Sequence, residues 1–416
     1  MRNLPKPLLA SLSVLALSLG AAPVALHARI EPAAAESREN KPRHAIPFQL
    51  HEGRIFVQAS GPGFRKRRFL LDTGAQRVHY TQELALAAGM MTTGPAVIRG
   101  VGQAEVPGYA LPPGSLRVGS LNMRYERAIA APGQLMFGPL FAGSERRFDG
   151  IIGYDFFAPW VVEVDYEARL IRLYNPKRYR PPASGETLPI QMVERKPYVS
   201  GLLSVGPRKD LPVRLLLDTG STGTLVLNGL FVEQHKALDW PGKLLPSATR
   251  GIGGTTPSFT GRMDRLALGG LIIDAPLAGL SLAQGAGSRR DSAGRIGGEI
   301  LRRFRMTLNY GAGTVTLERN GEFGVPFEAD MSGLTFLRPG VDSPEFLVLR
   351  VAAQSAAAEA GVKQGDRLLA VDGTPPAVLG PERLKRLLRR HGETRLLTLS
   401  REGQEVSAEL KLKRRI

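Results

Sequence analysis

Apolar and polar positions along this chain form short runs and alternations that predict β-strands. Residues 69–71 and 215–217 are continuous apolar runs, typical of buried strands. Residues 150–176 and 294–320 each contain two alternating segments separated by a turn, which predicts a β-hairpin in each. Because the 416 residues include 48 Gly and 31 Pro, turns are frequent, and we expect a mainly β protein.

The same landmarks follow one another twice. The first apolar run leads into DTGAQ at residues 72–76, and the second leads into DTGST at residues 218–222. Further along, IRGVGQ at residues 98–103 corresponds to TRGIGG at residues 249–254. An ordered repeat of this kind indicates two related structural units in one chain.

The longest match sets the size of the repeated units. Residues 150–176 align without gaps with residues 294–320. The repeat predicts two lobes, residues 45–179 and 188–323, joined by a Pro-rich linker at residues 180–187. Two lobes that face each other would bring both acidic turns to one seam.

Two aspartates at such a seam, Asp72 and Asp218, have a specific chemistry. A single Asp-Thr-Gly turn is most simply structural, since Asp and Gly are common turn residues. Two carboxyl groups within hydrogen-bond distance share one proton, because both cannot ionise cheaply. The ionised group can then take a proton from a water molecule, while the protonated group protonates a peptide carbonyl oxygen.

The residues that follow the aspartates support the two turns. Thr73 and Thr219 can hydrogen-bond across to the backbone of the opposite lobe and hold the turns in register. Gly74 and Gly220 permit tight turns and keep the floor of the cleft open.

One position makes the two turns unequal. Ser221 belongs to the second turn, whereas Ala75 is its counterpart in the first. A hydroxyl can donate a hydrogen bond to a carboxylate, and a methyl group cannot. We therefore predict that Asp218 is the better-stabilised anion and that Asp72 holds more of the shared proton.

The paired turns and the later landmarks resemble the aspartic proteases, specifically bacterial retropepsin-like proteases with two lobes fused in one chain. The resemblance implies two homologous β-barrel lobes that form an intramolecular pseudo-dimer, with Asp72 and Asp218 as the catalytic pair. It also implies glycine-tipped flaps that close over bound peptide. The segments that resemble the flaps contain Gly100, Gly102, Gly251, Gly253 and Gly254.

The second lobe departs from the family pattern behind its aspartate. Residues 151–153 read Ile-Ile-Gly and match the hydrophobic-hydrophobic-Gly step of the family, a strand that packs behind the aspartate loop. The corresponding step in the second lobe begins with Arg295. We expect this arginine either to extend outward or to alter the electrostatics behind Asp218.

The last part of the chain, residues 331–416, resembles a PDZ domain, an α+β unit. GLTF, followed by EFLVLRVA and AGVKQGDRLLAVDG, is similar to the carboxylate-binding loop and core of that family. The resemblance implies that backbone amides bind a peptide carboxylate and that the peptide adds as an edge strand. The expected contacts are Gly333, Leu334, Thr335 and Phe336.

A helix and a hairpin complete the predicted PDZ domain. Pro381 is expected to open a helix whose Leu384, Leu387 and Leu388 form an apolar face, in the simplest interpretation only core. The hairpin that follows suggests the permuted bacterial form, in which the last strand replaces a missing first one.

The N-terminus has the layout of a secretory signal. Arg2 and Lys6 precede an apolar stretch, so residues 1–28 are predicted to be a signal peptide and residues 29–44 a flexible leader. An uncleaved membrane anchor is the alternative. The chain has no cysteine, so neither disulfides nor a thiol nucleophile is available. We expect export, with the periplasm of a bacterial envelope as the destination.

Net charge and sequence motifs indicate which classes of binding partner to expect. The formal net charge of +17 suggests weak association with anionic envelope surfaces, although a solvated Arg-rich surface is the simpler explanation. No nucleic-acid-binding motif is present. The histidines lack metal-ligand spacing and no cofactor motif occurs, so neither a metal nor a cofactor is expected.

These patterns together predict an exported aspartic endopeptidase, a hydrolase that acts on polypeptides. The PDZ domain would recruit or gate substrates by binding peptide C-termini or extended segments. The alternative is a catalytically inactive envelope scaffold that binds extended peptides. A further possibility is that the lobes pair between two molecules rather than within one chain.

Overall fold

The computed structural model describes residues 41–137, 148–283, 291–337 and 346–416. Within these ranges the chain is mainly β, as predicted. The predicted signal peptide and leader lie outside the described residues, except for residues 41–44. None of the helices in the described ranges combines the length and apolar character needed to span a bilayer.

The first lobe contains thirteen of the described strands and three short helices. The strands are β1 (His44–Pro47), β2 (Gln49–His51), β3 (Arg54–Gly61), β4 (Phe64–Leu71), β5 (Val78–Thr81), β6 (Gly94–Ile98), β7 (Val106–Leu111), β8 (Gly114–Val118), β9 (Leu121–Tyr125), β10 (Ala128–Ala131), β11 (Gly150–Ile152), β12 (Val161–Asp165) and β13 (Leu170–Tyr174). The helices are α1 (Gln82–Ala87), α2 (Gly133–Phe137) and α3 (Tyr154–Phe157).

The second lobe repeats this order. Its strands are β14 (Glu186–Val193), β15 (Lys196–Val205), β16 (Arg208–Leu217), β17 (Leu225–Leu227), β18 (Leu245–Gly251), β19 (Gly254–Arg262), β20 (Arg265–Leu268), β21 (Leu271–Asp274), β22 (Leu277–Ser281), β23 (Gly294–Ile296), β24 (Phe304–Asn309) and β25 (Thr314–Arg319). Its helices are α4 (Gly229–Gln234), a 3₁₀ helix (Ala237–Asp239) and α5 (Gly298–Leu301). Strand β14 begins inside the segment predicted to be a linker.

The strand behind each aspartate runs parallel to the strand that delivers it. In the first lobe, Ile152 of β11 lies opposite Leu71 of β4, and in the second Ile296 of β23 lies opposite Leu217 of β16. All four of these side chains are fully buried. This confirms the predicted strand behind each aspartate loop, and the two copies share one register.

A sheet that spans both lobes joins them within one chain. The order is β1-β13-β12-β24-β25-β14, and its centre is the antiparallel pair β12 and β24. Val164 lies opposite Met306 across this pair, and both side chains are fully buried. The hairpins β12-β13 and β24-β25 are those predicted from the alternating segments. The lobes therefore meet without a second molecule.

The C-terminal unit has its own sheet, in the order β26 (Leu334–Leu337), β27 (Phe346–Val351), β28 (Arg367–Val371), β29 (Thr394–Arg401) and β30 (Gln404–Lys411). Two helices, α6 (Ala356–Glu359) and α7 (Pro376–Leu387), pack on it. Helix α7 is interrupted at Gly380, where φ is 65°, so a helical segment does begin at Pro381. Leu384 and Leu388 are buried, and the predicted apolar face is core.

This unit packs directly on both lobes. Lys385 of α7 forms an ion pair with Glu52 of the first lobe, and Arg389 lies 3.4 Å from Glu299 of the second. Arg303 lies over the ring of Phe327 at 3.5 Å from its centroid, which anchors the segment between the second lobe and the C-terminal unit. The C-terminal unit is therefore held in a defined position beside the lobes.

Candidate active site

Backbone hydrogen bonds place both aspartates at the seam between the lobes. The amide of Asp72 donates to the carbonyl oxygen of Ile152 at 2.9 Å, and that of Asp218 donates to Ile296 at 3.0 Å. Each carboxylate then accepts a hydrogen bond from its own turn, because the amide of Gly74 donates to Asp72 Oδ1 at 2.7 Å and that of Gly220 donates to Asp218 Oδ1 at 3.0 Å. The two turns are thus built alike.

The threonines lock the turns to each other across the seam, as the sequence predicted. Thr73 Oγ1 donates to the carbonyl oxygen of Leu217 at 2.6 Å, and Thr219 Oγ1 donates to that of Leu71 at 2.8 Å. Each hydroxyl also accepts from the amide of the opposite threonine, at 3.0 and 3.1 Å. Four buried hydrogen bonds therefore fix the relative position of the aspartates.

Glycine leaves room in each turn for the opposite carboxyl group, most strictly at Gly220. A Cβ atom at Gly220 would lie 2.5 Å from Asp72 Cγ, closer than real Cβ contacts allow. A Cβ atom at Gly74 would lie 3.2 Å from Asp218 Oδ1. The carboxyl groups therefore converge on one point, where the predicted chemistry needs them.

The electrostatics match one shared proton. The pKa of Asp72 is raised to about 7, chiefly by burial and then by the charge of Asp218, with a smaller contribution from a hydrogen bond between the carboxyl groups. The amide of Gly74 and the charge of Lys196 act in the opposite direction. Near neutral pH, Asp72 therefore holds the proton for a large part of the time.

Arg295 lies inside the site and contacts an aspartate. Its Nη1 atom is 3.5 Å from Asp218 Oδ2, and both side chains are about nine-tenths buried. Of the two arrangements expected for this residue, the structure contains the one that alters the field behind Asp218. The ion pair places a positive charge directly beside Asp218.

The predicted reason for this asymmetry was wrong, although the raised pKa of Asp72 agrees in direction with the prediction. Within the described residues, no hydrogen bond joins the Ser221 hydroxyl to Asp218. The Ser221 hydroxyl instead faces Gly297, where a Cβ atom would lie 2.9 Å from it. Arg295 is the cation that distinguishes the two carboxyl groups, since its ion pair is with Asp218. Lys196 acts on both carboxyl groups and therefore does not create the asymmetry.

Lys196 belongs to a pair of hairpin tips that the sequence analysis missed. His51 pairs with Arg54 across the β2-β3 turn, and Val193 pairs with Lys196 across the β14-β15 turn, so Arg54 and Lys196 are equivalent. Both turns have two residues with positive φ, as in type I′ hairpins. The signal was present as EGR at residues 52–54 and ERK at residues 194–196. Burial lowers the pKa of Lys196, against the opposing pull of the aspartates.

The predicted flap segments of the two lobes touch each other. The amide of Gly102 donates to the carbonyl oxygen of Ile252 at 2.9 Å, and that of Ala104 donates to Gly253 at 3.0 Å. A Cβ atom at Gly102 would overlap the backbone of Gly253. The tip of β18-β19, between Gly251 and Gly254, is a tight turn with φ of 89° at Gly253 and 110° at Gly254.

A cleft of about 1260 Å³ runs beneath these segments. It is lined by both aspartates, by Gly100, Val101 and Ile252 near the flap tips, and by Arg386 and Arg389 of the C-terminal unit. The volume exceeds the roughly 300–1,000 Å³ typical of small-molecule pockets. A cleft of this size suits an extended chain better than a compact ligand.

Two backbone amides of the GLTF segment, residues 333–336, already donate hydrogen bonds to nearby side chains of the same chain. The amide of Gly333 donates to Asp330 Oδ1 at 3.0 Å, and the amide of Leu334 donates to the Ser332 hydroxyl at 3.0 Å. Thr335 is exposed and Phe336 half-buried on β26, for which β27 is the only partner strand among the described residues. Among the described residues, the other edge of β26 is free to pair with an extended peptide, as the prediction requires. A bound peptide carboxylate, however, would have to replace the hydrogen bonds that the amides of Gly333 and Leu334 donate to Asp330 and Ser332.

Comparison with known families agrees with this architecture. Residues 57–156 match the family model described as aspartyl protease, and residues 347–401 match that of the PDZ domain. No curated protein matches the chain. The chain therefore contains an aspartyl protease domain of the retropepsin-like type, followed by a PDZ domain. The match to the aspartyl protease family ends within the first lobe. The second lobe is related to the first lobe because equivalent strands pair in the same register.

Proposed function

We propose that this protein is an aspartic endopeptidase that hydrolyses peptide bonds with a water molecule activated between Asp72 and Asp218. The observation that supports it most is the convergence of two buried carboxyl groups, one of which has a pKa raised to about 7 by burial and by its neighbour. The matched aspartyl protease family points to the same activity.

The proposed reaction uses one proton on the carboxyl pair. Ionised Asp218 takes a proton from water as the water oxygen attacks the peptide carbonyl carbon, and Asp72 gives its proton to the carbonyl oxygen. The resulting diol collapses when Asp218 passes its proton to the leaving nitrogen and the C–N bond breaks. Asp72 regains a proton from a diol hydroxyl, so the pair ends with one proton, and no covalent intermediate forms.

The PDZ domain is proposed to recruit or gate polypeptide substrates. Two observations support this role. The cleft extends from the aspartates to Arg386 of α7 and to Arg389 just after it, and β26 has an edge at which an extended segment can add. We propose in addition that the protein is exported to the periplasm, on the basis of its N-terminal sequence. Its net charge of +17 supports weak association with anionic envelope surfaces.

Hydrolysis of a peptide library tests the enzyme proposal. Wild type should cleave, and a statine-type inhibitor should block cleavage. Asp72→Asn and Asp218→Asn should each lose about a thousandfold or more in kcat/KM, since each removes one half of the acid-base pair. Equal activity in all three proteins would point to a contaminant and favour the alternative, a scaffold that binds peptides without cleaving them.

A further inference from the structure

We propose that the two walls of the cleft select different side chains, a large apolar one at the first lobe and an acidic one at Arg295 of the second. This inference rests on the proposed function, since a substrate must lie across Asp72 and Asp218. A peptide whose scissile bond lies between the two carboxyl groups presents one flanking side chain to each wall.

Strand register defines which wall positions correspond. In the first lobe His79 lies opposite both Ile129 and Ile151, and in the second Val226 lies opposite both Gly279 and Arg295. Ile129 is therefore equivalent to Gly279, and Ile151 to Arg295. The gap-free alignment extends this equivalence to Phe148 and Ser292, each two residues before the first residue of β11 or β23.

The first wall is apolar. Leu70, Ile129, Phe148 and Ile151 line the cleft and belong to one hydrophobic cluster. His79 also lines the cleft, but burial, with the charges of Arg77 and Lys196, lowers its pKa to about 3, so its imidazole stays neutral. A neutral apolar wall favours a large apolar side chain, because burial of apolar surface is the main attraction it offers.

The second wall is wider and polar. Gly279 replaces an isoleucine, and a Cβ atom there would meet nothing closer than 3.9 Å, so the position next to Val226, in strand register with Arg295, is open. Ser292 replaces a phenylalanine, and the Ser247 and Ser258 hydroxyls line the same region. These hydroxyls are hydrogen-bonded within the protein, so the group that this wall presents to a substrate is the cation of Arg295, where the first wall presents hydrocarbon.

The charge at this wall favours an anion. Arg295 lies on this wall and Lys196 acts from between the walls, on both aspartates and on His79. These are two cations, whereas the aspartate pair with one proton has a single negative charge. Glu194 also acts on Lys196, but it is exposed to solvent, which screens it. Within the described residues, the only ion pair of Arg295 uses Nη1, and a guanidinium has five N–H donors. Donors therefore remain for a carboxylate of the substrate.

Matched peptides test the proposal. We would measure kcat/KM for peptides with Leu-Glu, Leu-Gln and Leu-Leu at the scissile bond, and for the same pairs in reverse order. The assay runs at about pH 6, where glutamate is ionised. Wild type should prefer Glu over Gln by roughly tenfold in one of the two orders, the size expected for a charge-assisted hydrogen bond. Absence of this preference in both orders would overturn the proposal.

Two substitutions at Arg295 and one control variant test whether the preference for Glu over Gln comes from Arg295. Arg295→Ile, which installs the residue of the first wall, should lower the Glu/Gln ratio to about one and raise the Leu/Gln ratio. Arg295→Lys should retain part of the Glu preference. Arg250→Gln removes an exposed cation of β18 from the same cleft and should leave the Glu/Gln ratio unchanged.

Ratios within one variant cancel any change in the reactivity of Asp218. If Arg295→Ile shifts the pH profile but keeps the Glu/Gln ratio, the arginine acts only on the aspartate and the selectivity proposal is wrong. An equal fall in Arg250→Gln would also overturn it, because the preference would then reflect the general field of the cleft.

A second experiment distinguishes failure of the enzyme proposal from failure of the selectivity proposal. If wild type cleaves no peptide, the same Glu and Gln peptides are titrated against wild type and Arg295→Ile, and binding is followed by fluorescence anisotropy. Tighter binding of the Glu peptide that Arg295→Ile abolishes supports the wall assignment without hydrolysis. Equal affinity for both peptides contradicts it.

Discussion

The two lobes have the same backbone around their aspartates and different side chains on the walls beside them. Each lobe delivers its aspartate from a buried strand, pairs that strand with a parallel one and ends with a hairpin. Yet Ile151 is replaced by Arg295, and Ile129 by Gly279. A dimer of identical chains cannot make such a difference, because one sequence sets both walls. Fusion of two lobes permits a symmetric carboxyl pair in an asymmetric cleft.

The asymmetry begins next to the carboxyl groups themselves. The hairpin tips place Arg54 and Lys196 at equivalent positions, but Arg54 forms a 3.0 Å ion pair with Glu52 while Lys196 acts on the aspartates. Arg295 adds a second cation at Asp218. The same turn chemistry therefore yields two carboxyl groups with different charge environments, which is how one can act as acid and the other as base.

The largest expected effect is the loss of stability when a threonine hydrogen bond between the two aspartate turns is removed. It tests whether the two lobes contribute equally to these bonds. Thr73→Val and Thr219→Val each remove a hydroxyl that makes two buried hydrogen bonds and leave an amide and a carbonyl unsatisfied. Each should cost about 2–4 kcal/mol in free energy of unfolding, measured by urea denaturation. Thr187→Val, which loses one partly buried bond to Thr316, should cost about 1 kcal/mol. Unequal costs for Thr73 and Thr219 would show that the lock is not symmetric.

A second prediction compares the flap segments. Gly102→Ala adds a Cβ atom that overlaps the backbone of Gly253, so the tips should separate and kcat/KM should fall by about tenfold or more. Gly324→Ala is the matched control, since a Cβ atom there meets nothing within 4 Å. Unchanged hydrolysis in Gly102→Ala would mean that the contact between the tips is not needed for catalysis.

A third prediction concerns the pH profile. The alkaline limb of kcat/KM should fall near pH 7, where the pair loses its shared proton. Lys196 lowers the pKa of Asp72, so Lys196→Met should raise that pKa and move the alkaline limb to higher pH. Arg208→Met, a cation that lies over the ring of Trp240, serves as the control. A limb that moves to lower pH in Lys196→Met would contradict the assignment.

The raised pKa of Asp72 also affects stability. Because the folded pKa of about 7 lies above the ordinary aspartate value of 3.8, the folded protein binds this proton more tightly than the unfolded chain. The associated stability is complete below about pH 4 and is lost as the pH rises through about 7. Asp72→Asn should flatten this part of the stability profile, measured as urea midpoints from pH 4 to pH 8. An unchanged slope would rule out Asp72 as its source.

The smallest expected effect concerns the contacts between the PDZ domain and the two lobes. Lys385→Ala breaks the ion pair with Glu52, and Arg389→Ala breaks that with Glu299. Both pairs are partly exposed, so each change should cost less than about 1 kcal/mol in free energy of unfolding. A much larger cost for Arg389→Ala alone would indicate that the PDZ domain is held chiefly by the second lobe.

Much of the architecture could be predicted because it depends on local patterns. Buried strands before each aspartate, the closing hairpins and the threonine bonds follow from apolar runs, alternation and the repeated turn. The hairpin tips with Arg54 and Lys196 were missed, since a short EGR and ERK match has no meaning until strand register makes the two equivalent. The role given to Ser221 was wrong, because sequence proximity to Asp218 does not determine where its hydroxyl points.

The order of landmarks along the chain was sufficient to establish two related lobes, a paired acidic turn and a following PDZ domain. These are properties of residue type and spacing, which the backbone expresses locally. Only the tertiary structure decided that Arg295 contacts Asp218, that the amide of Gly333 donates to Asp330 and that the C-terminal unit touches both lobes. Such contacts join side chains from distant segments, and their energies depend on burial and distance, which the order of residues does not specify.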